Sequence, residues 1–412
     1  MRSLSDQYTQ PENRLTHALA ACLHEDRALL SHFVAWLGVR CPTRATALSI
    51  DEQGLPGDPP EDAEDDAEKQ GLPDIVIHDG GSWCLLIESK VQARLTQDQL
   101  RRHEQTIRRR GFKKIHCVTL TKVSSPLRGT ITRTWSGLYE WLGSLPRRGE
   151  WADRLRIYLR VAEVRLAREG YLAEGTLTMF DGFPFSEDNP YTYGEAKRLL
   201  RLALEELKRD PRLRKLRVDP RATGRPAITG RSAPVVWDCL PLLKRPRGAF
   251  TSYPHLTLAI HSDHLEVSIT IPDAVTGSVR KRLRDLGTTG LITVNTEILR
   301  RAKPLLKRGA EIRAYALQRH YLSQRSPPIT DATLSFRLET SRAKQVDGVK
   351  HQPEWIATFA ELARNKRSNI QFQYRVEFPW GDTRGLDSRQ SLDLIVESWL
   401  ALRPLLDAVT AG

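Results

Sequence analysis

Cysteine is scarce in this 412-residue chain. The five present, Cys22, Cys41, Cys84, Cys117 and Cys239, are scattered and form no CxxC pair. That excludes a zinc knuckle and a disulfide framework, and it fits a reducing compartment. Long apolar runs are missing too: no stretch of about 18 apolar residues occurs, so no membrane span is expected. The N-terminal MRSLSDQYTQPEN is polar and has no apolar core of a secretory signal, which makes the cytoplasm the expected location. No glycine loop followed by lysine is placed to cradle nucleotide phosphates, so ATP use is not implied, and no GxSxG serine site is visible. No internal repeat is found.

What is abundant is positive charge, and it is unevenly placed. The chain carries a formal net charge of +13. Residues 1–150 hold 20 Lys+Arg and 20 Asp+Glu, so the whole excess lies in residues 151–412. It concentrates in 201–250 and 301–350. A basic half joined to a neutral half with clustered acids suits a polyanionic partner, nucleic acid above all.

The acids that matter most lie in Leu72–Lys90, LPDIVIHDGGSWCLLIESK. Two short apolar runs flank His78-Asp79-Gly80-Gly81-Ser82, strong turn chemistry, and predict a hairpin of two strands. Asp74 opens the first run and Glu88 ends the second. Because side chains alternate along a strand, Glu88 and Lys90 share a face and Ser89 takes the other. Pairing across the turn would set Asp74 beside Glu88, so that two carboxylates and an ammonium converge. Such a set suits phosphodiester hydrolysis: the acids, with the Ser89 carbonyl, hold a hard cation such as Mg2+, and the lysine orients water or stabilises negative charge. The competing reading makes Asp74 and Glu88 strand-end acids with Lys90 as their ion-pair partner.

Pro73-Asp74 followed by Glu88-Ser89-Lys90 resembles the signature of the PD-(D/E)XK nuclease superfamily. Glu12, opening a helix that begins ENRLTHAL, and Gln99, within the helix beginning QDQLRRH, resemble the branch with an acidic first-helix residue and a glutamine after the ExK lysine. The resemblance covers roughly residues 10–145. It implies an α/β restriction-endonuclease-like (αβββαβ) domain. It further implies a metal site of Glu12, Asp74, Glu88 and Ser89, with Mg2+ as cofactor and Mn2+ as substitute. Asp74, Glu88, Lys90 and Gln99 are its implied catalytic set. A role in restriction or phage defence is implied by the same resemblance, as is a homo-oligomer or a defence-system partner protein.

Taken in order, apolar spacing predicts a helix over 12–37 ended by Gly38, then a strand over 40–50. Residues 51–70, acidic and proline-bearing, read as a solvated insertion. Strands are expected over 72–78, 83–90 and 113–120. The helix over 96–110 has Thr96 as candidate N-cap and carries Arg101, Arg102, Arg108 and Arg109 as candidate phosphate contacts. Helices over 135–145 and 151–168 complete a domain of residues 1–170. Residues 171–234 are expected to be an aromatic and basic connector containing a helix. Its rings, Phe180, Phe183, Phe185, Tyr191 and Tyr193, read either as self-packed or as a base-stacking platform, and the lack of basic residues among them favours packing. Its loop 210–231 has the composition of a nucleic-acid contact or of an exposed segment. Residues 235–412 predict a basic C-terminal α+β domain. That domain opens with a hairpin around Ser262-Asp263, and its sheet is expected to be half covered.

Some motifs are decoys. Glu206-Leu207-Lys208 is an ExK inside a helix without a preceding PD, and Pro272-Asp273 has no ExK at a suitable distance after it. His261 and His264 flank the second hairpin but bring no third ligand from the sequence, so they read as surface residues. The expectation is therefore a Mg2+-dependent nuclease acting on DNA in preference to RNA. The alternatives are a non-catalytic nucleic-acid-binding or regulatory protein on the same fold, and a nuclease effector released by a partner or signal.

Overall fold

The protein is described by a computed structural model covering residues 11–52, 73–91, 95–146, 149–169, 175–221, 234–243, 250–323, 326, 329–340, 349–350, 353–364 and 369–410. The chain divides into two compact units, Met1–Met179 and Phe180–Gly412. No described helix is long and apolar enough to cross a membrane.

The first unit opens with α1 (Pro11–Glu25) and α2 (Arg27–Trp36). The single helix expected over 12–37 is interrupted at Asp26, which leaves helical geometry and caps α2 by accepting from Leu29 N at 2.9 Å. Gly38, at a φ of 76°, ends α2 as expected of a residue without a Cβ. The strand expected over 40–50 starts late. Ala45–Ala47 forms a 3-10 turn, and β1 is Ser49–Glu52. Asp51 and Glu52 are thus strand residues, not part of a solvated insertion; the remainder of that tract, 53–70, lies outside the described residues.

Next come β2 (Ile75–His78), β3 (Trp83–Lys90), α3 (Gln97–Arg109), β4 (Lys114–Thr121), β5 (Thr130–Thr134), α4 (Trp135–Ser144) and α5 (Glu150–Glu169). The five strands lie side by side in chain order. β1, β2 and β3 are antiparallel, whereas β4 and β5 run parallel to β3. The parallel β3–β4 pair needs a crossover, and α3 supplies it. The Asp79 side chain closes the β2–β3 turn, accepting from Gly81 N at 2.9 Å and Trp83 N at 3.0 Å, while Gly80 takes a φ of 71°. One sheet face, with Ile75, Ile77, Leu85, Ile87 and Val118, joins the core that includes the apolar residues of α1 and α2. The other, with Val76, Cys84, Leu86 and Cys117, packs with Ile107 of α3 and with Phe112. Both faces are covered, which is why these strands read as continuous apolar runs.

Leu177 packs in the core of the first unit, whereas from Phe180 on the described part of the expected 171–234 connector belongs to the core of the second unit. Phe180, Phe183 and Phe185 are buried there with Leu199, Leu200 and Ala203 of α6 (Tyr193–Leu207). The rings pack on one another and on Trp380, which resolves the two readings of the aromatic stretch in favour of packing. Of the basic loop, 211–216 is a 3-10 helix and 222–233 lies outside the described residues. The strands are β6 (Val235–Leu240), β7 (His255–His261), β8 (His264–Ile271), β9 (Glu311–His320), β10 (Ile329–Arg337), the two-residue β11 (Glu339–Thr340) and β12 (Val349–Lys350), and β13 (Ile370–Pro379). Six of them form one antiparallel sheet in the order β10-β9-β13-β8-β7-β6.

The other described α-helices of this unit are α7 (Gly277–Leu306), broken at Gly287 by a φ of 56°, α8 (Pro353–Arg364) and α9 (Gln390–Thr410). Leu258, Ile260, Leu265, Val267, Phe372 and Val376 give one sheet face to the helical core. The alternate residues Glu266, Ser268, Thr270, Gln373 and Arg375 form a polar network on the other.

Asp79→Ala removes the acceptor for two turn N–H groups and should lower stability by about 1–2 kcal/mol. Equilibrium urea unfolding measures this. A change within a few tenths of that of an exposed control substitution would contradict the role given to the turn.

Candidate active site

The site lies at the C-terminal end of β3, and the sheet register builds it. Ile75 pairs with Ile87, so Asp74 and Glu88 are the next cross-strand neighbours, on the face toward α3. The Asp74 carboxylate turns back along the ladder and accepts from Ser89 N at 2.6 Å. Ser89 points to the opposite face, where its hydroxyl lies 2.6 Å from Thr16 Oγ1 of α1. That contact ties the first helix to the strand bearing the acids. One turn earlier on the same helix, Glu12 Oε1 accepts from Val91 N at 3.3 Å.

Glu88 is buried, at 2% exposure, and is the hub of the site. Lys90 Nζ lies 2.9 Å from its Oε1, and Gln99 Nε2 donates to the same oxygen at 2.5 Å. Gln99 is placed by the N-terminus of α3, whose cap Thr96 accepts from Gln99 N. One turn on, His103 Nε2 sits 3.3 Å from Glu88 Oε2. That is ion-pair distance, yet the geometry is not that of a hydrogen bond, and Glu88 Oε2 has no hydrogen-bond donor among the described residues. Thr119, paired with Glu88 in the β3–β4 register, is fully buried and its hydroxyl likewise has no hydrogen-bond partner there.

These surroundings shift the titrations. Asp74 keeps part of its surface open, but protein packs densely around its carboxyl. Burial, and then the charge of Glu88, raise its pKa to about 7 against the pull of Lys90 and the hydrogen bond from Ser89 N. Burial also raises Glu88, with Lys90 opposing. At Lys90 burial acts downward, but attraction to Glu88 and Asp74 prevails and raises the ammonium. Glu52 of β1 is raised by burial and, further down the order of causes, by the charge of Asp74, while His17 Nδ1 at 2.7 Å opposes the shift.

Asp74, Glu88, Lys90 and Gln99 are therefore brought together, with Glu12 engaged just beyond Lys90. Ser89 lies between Glu88 and Lys90, its N–H bound by Asp74 and its hydroxyl directed to Thr16, while the atom expected to meet a metal is its carbonyl. Glu12, Asp74 and Glu88 do not form a set of three donors within 4.8 Å of one another; among the described residues only His261, His264 and Glu266 do. Of the arginines, Arg101 pairs with Asp98, and Arg108 pairs with Glu104 at 2.6 Å. Arg102 and Arg109 are exposed on the side of α3 away from the sheet.

Sequence reasoning missed His103, Glu52 and Thr119. His103 carried a signal, since it lies four residues from Gln99 and hence on the same helix face. Glu52 and Thr119 join the site only through strand register. A divalent cation fits this donor set on one observation: two adjacent acids, both held toward their protonated form by burial and Asp74 also by the charge of Glu88, include a buried oxygen without a hydrogen-bond donor. The chain matches no protein-family profile, and no characterised protein matches its sequence.

The raised carboxyls set the sign of a pH dependence. An unfolded aspartate releases its proton near pH 3.9 and folded Asp74 near 7. Between those values the folded state binds more protons than the unfolded one, so Asp74 makes stability fall as pH rises. Calorimetric Tm values in chelator from pH 4.5 to 7.5 should decline more steeply for the wild type than for Asp74→Asn. Equal slopes would contradict the assignment.

Proposed function

We propose that the protein is a metal-dependent nuclease hydrolysing phosphodiester bonds of nucleic acid, DNA in preference to RNA. The observation that carries the reading is the register of β2 and β3, which sets Asp74 beside Glu88 and aims Lys90 at the same carboxylate. Asp74 and Glu88 would hold Mg2+, or Mn2+ in its place, and Glu12 would support them. A cation held there supplies Lewis acidity toward a phosphate oxygen and makes an adjacent water more acidic.

The chain's own groups do the remaining work. Gln99 fixes Glu88 in one rotamer, and His103 borders its other oxygen, so the carboxylate is positioned before substrate arrives. Lys90 carries a fixed positive charge at the reacting centre, where it can orient water or offset charge growing on the phosphate. Ser89 N holds Asp74 in place, and Thr16 holds Ser89. Arg102 and Arg109 are available to phosphates without change, whereas Arg101 and Arg108 must first leave their acidic neighbours. The likeness of this element order to the PD-(D/E)XK superfamily supports the same reading. A role in restriction or phage defence rests on that likeness alone.

Purified full-length protein should cut DNA with Mg2+ or Mn2+ and not with chelator. Lys90→Ala and Asp74→Asn should each reduce cutting by about 100-fold or more, the scale for loss of one transition-state contact. DNA affinity should change only a few-fold. Undiminished cutting by either variant would remove the site assignment, and cutting confined to RNA would overturn the substrate preference.

A further inference from the structure

We propose that the second unit carries a separate metal site, formed by His261 and His264 through Nε2 and by Glu266 through Oε2, for one borderline divalent transition ion of the Zn2+ class.

Hairpin geometry makes the cluster. The two-residue turn Ser262-Asp263 joins β7 to β8, and the pairing of Ile260 with Leu265 makes His261 and His264 the next cross-strand pair. Their rings stack with centroids 4.2 Å apart and planes 10° from parallel. Glu266, two residues along β8, faces the same way. One donor atom from each residue lies within 4.8 Å of the other two, and His261 Nε2 is 3.5 Å from Glu266 Oε2. A tetrahedral ion bound at roughly 2.0–2.2 Å spaces its donors by about 3.3–3.6 Å, so small side-chain adjustments suffice.

The hydrogen bonding leaves the donors aimed inward. His264 Nδ1 is 2.8 Å from Asp263 Oδ1, and a carboxylate accepts, so Nδ1 is the protonated nitrogen. In the neutral ring this puts the lone pair on Nε2, which is buried with no hydrogen-bond partner among the described residues. His261 Nε2 is also buried without a hydrogen-bond partner among the described residues, with Glu266 Oε2 as its polar neighbour at 3.5 Å. Two buried imidazole nitrogens lacking partners are costly unless a further group meets them. A carboxylate holding the far nitrogen of a histidine is the arrangement that orients metal-binding imidazoles.

The Glu266 carboxylate is held in place by its neighbours: Arg375 lies 3.1 Å from Oε2, and Ser268 Oγ donates to Oε1 at 2.9 Å. The Arg375 guanidinium opposes a second cation. It is anchored over the Tyr315 ring, 3.5 Å from its centroid, and bonded to Gln373, so it fixes the carboxylate from one side and leaves a second lone pair on Oε2. The carboxylates of Asp263 and Glu266 outnumber that one guanidinium beside the cluster. Trp380 pins the turn, donating from its backbone N to Asp263 O at 3.2 Å and from Nε1 to His261 O at 3.0 Å. Two imidazoles and one carboxylate suit Zn2+ and its neighbours rather than Mg2+ or Ca2+, which take oxygen. Three protein donors leave a fourth position for water or a ligand.

The test is calorimetric titration of ZnCl2 into tag-free, chelator-stripped, full-length protein. One equivalent should bind, independently of Asp74→Asn and Glu88→Gln, so the outcome is separable from that of the nuclease reading. His261→Gln and His264→Gln should each weaken it by at least about 100-fold, and Asp263→Asn by about 10–100-fold. Circular dichroism without metal should show both histidine variants folded. Should either be unfolded, Co2+ added to the wild type decides. The visible spectrum of a four-coordinate site with nitrogen donors supports the site, and that of the six-coordinate aqua ion overturns it. Absence of saturable Zn2+ binding, or binding unaffected by His264→Gln, also overturns it.

Discussion

Everything in the first unit that resembles chemistry depends on one backbone contact, the acceptance of Ser89 N–H by the Asp74 carboxylate. It fixes where β2 stops relative to β3, and so which side chains meet. A slip of one residue would turn Glu88 and Lys90 into the α1 core and bring Ser89 to the acids. The slip is prevented from two directions. Alternate residues of β2 and β3 are buried on two different apolar faces, and the Asp79 turn leaves no slack in the hairpin. The site is thus a by-product of packing that stability requires anyway.

That dependence explains what could be read from the sequence. Apolar runs around Asp79-Gly80-Gly81 define a hairpin, and a hairpin of known register places Asp74 against Glu88. Thr96 announces α3, and helical spacing then brings Gln99 to bear. What could not be read comes from pairings between segments far apart in the chain. Glu52 acquires a role because β1 runs beside β2, while the sequence around it suggests only a solvated acidic tract. Thr119 meets Glu88 through a parallel pairing that no local signal encodes. The break at Asp26 was hidden because the apolar spacing continues through it.

The second unit makes the same point in reverse. The hairpin around Ser262-Asp263 was visible in the sequence, but not which alternate residues of its strands would face the helices. Once that is known, the histidine pair ceases to be a surface feature, because Glu266 belongs to the same face. The aromatic stretch after Met179 also changes meaning. Its rings are the wall of a core, buried with α6 and Trp380, and not a platform awaiting bases. The positive charge of this half is partly neutralised within the sheet, where Arg313 meets Glu311 and Glu377, and Arg337 meets Glu311.

The proposed chemistry requires Asp74 and Glu88 to share one ion. The most direct measurement is anomalous scattering from crystals of the full-length protein soaked in Mn2+. The expected result is a peak bonded to carboxylate oxygens of both residues, at the end of β3 and beside Lys90. Mn2+ bound elsewhere, with Lys90 still clasping Glu88 and nothing between the two acids, would contradict it.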